Sequence, residues 1–150
     1  MTAERALLSC QRWLCAVWIL GVFPPFLLMS VQTLHNYYGL HDQDAWGWLL
    51  TATMPTFSLV IGSYISSAME PSAARKSIES AVFLLSMTFS GLHLLVVNGI
   101  LFFLPFSSIS PLDAMHHLNL LLGALQGLVG TCLGVFFTRH RKGPSKSVKG

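Results

Sequence analysis

The chain has 150 residues, 53% of them hydrophobic and 10% charged, with a formal net charge of +3. Soluble globular domains carry about 25% charged residues, so this composition excludes an ordinary water-bathed domain, and the length allows one bundle at most. Cys10, Cys15 and Cys132 are an odd set with none in a loop on the outer side, which excludes a disulfide framework.

The apolar residues are gathered in long blocks rather than short amphipathic runs. A helix rises about 1.5 Å per residue, so a hydrocarbon core of about 30 Å takes roughly 20 residues to cross. Such blocks fall at residues 13–34, 46–67, 81–103 and 118–137, and none contains Asp, Glu, Lys or Arg. They lack period-2 alternation and read as helices, because backbone N–H and C=O groups in lipid must be paired within the segment. The expected fold is all-α: a polytopic membrane protein with four transmembrane helices in an up-down-up-down bundle. Residues 1–138 form the transmembrane domain, and residues 139–150 a disordered basic tail.

The first block follows Arg5 and Arg12, is too long for a signal-peptide core and lacks a small-residue cleavage site, so it reads as a retained anchor. Pro24 and Pro25 lie at its middle, where two missing N–H donors predict a kink or partial unwinding. Cys10 lies near the cytoplasmic end, where lipidation is conceivable, but all three cysteines read better as small apolar residues. The first connection carries His35, His41, Asp42 and Asp44.

The second block opens with Trp46 and Trp48, which with Trp13 suit a membrane interface where the ring is buried and the N–H stays wet. At about 100° per residue, Thr51, Pro55, Ser58, Gly62 and Ser66 share one sector. Such a stripe suits a dry helix contact or, alternatively, a water-lined path. Pro55 predicts a milder kink. Arg75 and Lys76 follow in the second connection.

His93 is the one side chain within the four blocks that titrates near neutrality in water. It shares a face with Ser86 and Ser90, while Asn98 lies on another side of the same helix. An ionisable group inside a membrane is a functional candidate for gating, proton relay or metal binding. The competing reading is a neutral ring bonded to a neighbouring carbonyl.

The fourth block carries Gly123, Gly127, Gly130 and Gly134 on one stripe bordered by Asn119 and Gln126. Two small-xxx-small motifs let helix backbones approach closely, either against another subunit or within the chain. Ahead of the block lie Asp113, His116 and His117, and after it come Arg139, Arg141, Lys142, Lys146 and Lys149.

All nine Lys and Arg therefore precede block one, separate blocks two and three, or follow block four. Basic residues are retained on the cytoplasmic side, so both termini are expected in the cytoplasm, with the protein in a bacterial inner membrane or its equivalent. The opposite face holds four histidines and three acids. His41, Asp44, His116 and His117 are imidazole and carboxylate ligands that could hold an external divalent metal. The same histidines could make a pH-responsive mouth, moving its formal charge from about −3 to about +1 on protonation. No other cofactor is expected.

No phosphate-binding loop, H-E-x-x-H, C-x-x-C or nucleophile elbow occurs, which argues against an enzyme. The basic tail lacks interleaved aromatics, so nucleic acid is a poor partner; anionic lipid is a better one. The function expected is a homo-oligomer assembled through the glycine stripe into a channel or membrane-permeabilising pore. The alternatives are an accessory or effector subunit docked on a membrane or cytoplasmic protein, and a small transporter or metal-handling protein using the broken first helix, His93 and the external histidines.

Overall fold

The computed structural model describes residues 4–69 and 77–138. Four helices account for most of them: α1 (Leu7–Leu34), α2 (Asp42–Ala68), α3 (Ser80–Phe103) and α4 (Pro111–Thr138). Each is long and apolar enough to cross a membrane. The helices begin ahead of the charge-free blocks, because polar residues are tolerated in a first turn that can reach interfacial water. The start of α4 shows how. Ser110 precedes Pro111, its Oγ accepts the Asp113 backbone N–H at 3.3 Å and donates to Asp113 Oδ2 at 2.6 Å, which is a serine N-cap with proline at the first helical position. Ser110 thus caps the helix that carries His116, and Asp113 lies in its first turn.

The exit from α1 is equally local. Tyr37 N–H bonds Gln32 O at 3.0 Å and Asn36 N–H bonds Thr33 O at 2.9 Å, with Asn36 at φ 54°. This is a Schellman cap with asparagine in the left-handed position that glycine usually takes. A short 3-10 turn at Gly39–His41 leads into α2, and another at Leu104–Phe106 leaves α3.

The helices pack as a four-sided bundle in the order α1, α2, α4, α3, so that α1 touches α2 and α3, and α4 touches α2 and α3. Gln11 of α1 reaches Ser67 near the end of α2, whereas Thr33 meets Trp46 near its start. The α1–α2 and α3–α4 connections meet at one end, where Met29, Tyr38, Trp48, Leu101, Leu104 and Met115 form one apolar cluster. Leu7, Cys10, Phe83 and Phe136 close the other end.

At that second end lies an element absent from the sequence reading. Two three-residue strands, β1 (Glu4–Ala6) and β2 (Ser77–Glu79), pair antiparallel with Glu4 opposite Glu79. Three residues are too few to show periodicity, so the ribbon had no signal. Arg75, Lys76 and the tail at 139–150 lie outside the described residues.

The outside of the bundle inverts the pattern of a water-soluble protein. Leu20, Phe23, Leu84, Leu95, Phe102, Phe103 and Leu120 are all more than half exposed, a cladding suited to acyl chains. The buried centre, in contrast, contains Thr53, Thr56, Ser86, Ser90 and His93.

Candidate functional site

Two polar regions stand out against this apolar frame: a belt of hydrogen bonds at mid-height inside the bundle, and a small-residue face outside it, on α2 and α4.

The belt is organised by the prolines. Helix α1 runs unbroken through Pro24 and Pro25, so the partial unwinding expected there does not occur. The prolines still remove donors. Pro25 has no N–H for the carbonyl four residues earlier, that of Gly21. Asn98 of α3 supplies the missing donor, with Nδ2 at 2.9 Å from Gly21 O and 2.7 Å from Leu94 O. Gly21 makes this approach feasible, since a Cβ there would lie 2.6 Å from Leu94 Cδ1. Pro24 is on the exposed side of the helix and Pro25 on the buried side, so the carbonyl that Pro25 releases lies on the helix face that packs in the bundle.

The same device recurs in α2, here at the exposed edge of the belt. Pro55 releases the carbonyl of Thr51, and Gln126 Nε2 of α4 donates to it at 3.3 Å. One residue further on, Ala52 O accepts from His93 of α3, with Nε2 at 2.9 Å. A carbonyl only accepts, so Nε2 carries the ring proton. The His93 ring is fully buried and lies against Trp18 of α1 with centroids 5.9 Å apart. Side chains from α3 and α4 thus meet adjacent carbonyls of α2, one turn before Pro55.

The polar residues grouped together in the sequence separate in space. Ser86, Ser90 and His93 are buried, and Ser86 Oγ donates to Val82 O at 2.9 Å and reaches Cys132 O at 3.3 Å. Asn98 is half-buried between α1 and α3. Thr51, Ser58, Gly62 and Ser66 are exposed, together with Pro55. On α4, Gly123, Gly127 and Gly134 are exposed and Gly130 and Gln126 half-exposed. A Cβ built at Gly62, Gly123, Gly127, Gly130 or Gly134 would meet nothing within 4 Å. Among the described residues, then, no other helix packs at Cβ distance against Gly123, Gly127 or Gly130.

The two stripes lie side by side, since Thr51 stands beside Gln126 and both helices start at the same end. Near that end they flank a groove of about 480 Å³ whose walls include Asp44, Gly47, Thr51, His116, Asn119 and Gly123. His41 Nδ1 lies 3.2 Å from Asp44 Oδ2, and Asp44 and His116 line the groove, while His41 and the exposed His117 are not part of its wall. Among the described residues no three His, Cys, Asp or Glu side chains form a metal-ligating group.

The sequence reading passed over one buried polar anchor. Gln32 lies buried in α1, where its Nε2 reaches Leu101 O at 3.5 Å and its Oε1 accepts from the Tyr38 hydroxyl. The signal available was an amide inside an apolar block, which requires a partner. Burial pushes the Tyr38 hydroxyl above the usual tyrosine range, with Tyr37 and Asp42 adding to the shift. Trp48 differs from expectation: its Nε1 is buried, not wet, because α2 begins at Asp42 and puts Trp48 in the second turn, facing the core. Trp13 is exposed, and Trp46 donates to Thr33 Oγ1 at 3.1 Å.

Compared with protein-family models, curated proteins and solved structures, the chain matches none of them.

Proposed function

We propose that this chain is a multi-pass membrane protein that crosses the bilayer up-down-up-down with both termini cytoplasmic, and that copies of it assemble through the α2–α4 face into a channel or permeabilising oligomer. The observation that supports this reading is the open glycine and serine face. Helices in lipid gain little from burying apolar surface against one another and associate where small residues allow close backbone contact. Much of the bundle surface is clad in Leu and Phe, but on this face Gly62, Gly123 and Gly127 lie exposed, with no described atom within 4 Å of where a Cβ would stand. Thr51, Ser58 and Ser66 share that face and would be poor neighbours for acyl chains. In an assembly they either bond across the contact or line water.

His93 takes no part in such a lumen, being enclosed within one protomer. The arrangement of basic residues supports the cytoplasmic placement of the termini. The test is Gly127→Leu. The substitution meets open space in the protomer, so the fold should persist while the assembly falls apart. Size measurement in detergent and ion flux into liposomes would read this out. A monomeric wild type without flux would remove the proposal, and its recovery with one stoichiometric partner would instead favour an accessory subunit.

A further inference from the structure

The polar belt is incomplete, and the incompleteness is chemically consistent. Three buried polar atoms near its centre have no hydrogen-bond partner among the described residues: Trp18 Nε1, Ser90 Oγ and His93 Nδ1. All three side chains have no solvent exposure. Trp18 and His93 are ring neighbours, and Ser90 stands one turn before His93 on the same face of α3. Leaving such groups unpaired in an apolar interior costs more than immobilising a water molecule does.

Their chemistry is complementary to one small ligand. An indole N–H only donates. The His93 Nε2 proton is committed to Ala52 O, so Nδ1 of the neutral ring is an acceptor. A serine hydroxyl does either. We propose that Trp18, Ser90 and His93 form an internal binding site for a single water molecule. The water accepts from Trp18 Nε1, donates to His93 Nδ1, and exchanges its remaining bond with Ser90 Oγ. Buried waters typically make about three hydrogen bonds to groups otherwise left unsatisfied. A metal ion does not fit, because the trio offers one ring nitrogen and no carboxylate or thiolate.

Bound there, the water gives α1 a second link to the belt, beside the bond from Asn98 to Gly21 O. Trp18 is joined through it to His93, and His93 directly to the carbonyl of Ala52 beside the Pro55 turn. The site thus acts as the polar centre that sets α1, α2 and α3 at a common height, and it is independent of any self-assembly.

The test uses the full chain in detergent micelles with nitrogen-15 in tryptophan and histidine. The Trp18 indole resonance, identified by its loss in Trp18→Phe, should show a magnetisation-transfer peak to water. That peak should persist in Ser90→Ala, where two of the three partners remain. The His93 Nδ1 shift should be that of an unprotonated, hydrogen-bonded ring nitrogen. A Trp18 indole with no water peak overturns the proposal. So does a peak that disappears in Ser90→Ala, which would mark it as relayed by the serine hydroxyl, or a protonated Nδ1.

Discussion

If Asn98 serves the carbonyl that Pro25 releases, its value depends on the proline. Asn98→Leu keeps the number and branching of side-chain heavy atoms and leaves Gly21 O without a donor. An unsatisfied buried acceptor costs about 1–3 kcal/mol, while interhelical hydrogen bonds in membranes average about 0.6 kcal/mol and reach about 1.7. The 2.9 Å bond is short and half-buried, so a loss of about 1–1.5 kcal/mol is expected. In a Pro25→Ala background, residue 25 regains an N–H for the same carbonyl, and Asn98→Leu should then cost less than about 0.5 kcal/mol. The difference is a coupling energy of about 1 kcal/mol between residues on different helices, measurable as a double-mutant cycle by reversible unfolding in mixed micelles. Equal losses in the two backgrounds would refute the reasoning and leave Asn98 as a side chain that matters only for its own Leu94 carbonyl. The Gln126–Pro55 pair should give the same sign with a smaller coupling, since its bond is longer at 3.3 Å.

Two further outcomes follow from the same geometry. Gly21→Ile must force Leu94 aside, because even a Cβ would stand 2.6 Å from Leu94 Cδ1; overpacking of this kind costs about 1–3 kcal/mol, whereas Gly127→Ile should leave protomer stability nearly unchanged. Equal stability losses at the two glycines, in the same unfolding assay, would contradict the packing described. The Tyr38 hydroxyl, raised by burial, should stay protonated in folded protein at pH values where ordinary tyrosines ionise, about 10. Its contribution to stability is complete below that pH and is lost as pH rises through the raised value. An alkaline absorbance titration should show one tyrosine ionising late, and Tyr38→Phe should remove that step; a Tyr38 that titrates with exposed tyrosines would contradict its burial.

The parts of this molecule that were legible in the sequence are those fixed by one helix alone. Four charge-free blocks announce four helices because length and apolarity are summed along a segment. The stripe from Gly123 to Gly134 is visible because 3.6 residues per turn is a property of one helix. Pro25 and Pro55 even name in advance the carbonyls they release, four residues back at Gly21 and Thr51. Illegible is which neighbour answers. Asn98 serves Gly21 because α1 stands beside α3, and Gln126 serves Thr51 because α2 stands beside α4, while short connections alone would have put α2 beside α3. That circular order, and not the helices themselves, decides the fate of each polar residue. It turns Ser86, Ser90 and His93 inward and leaves Ser58, Gly62 and Ser66 outside, although all six read alike as polar or small interruptions of apolar helices. A stripe becomes a candidate interface only when the other three helices are seen to turn their backs on it.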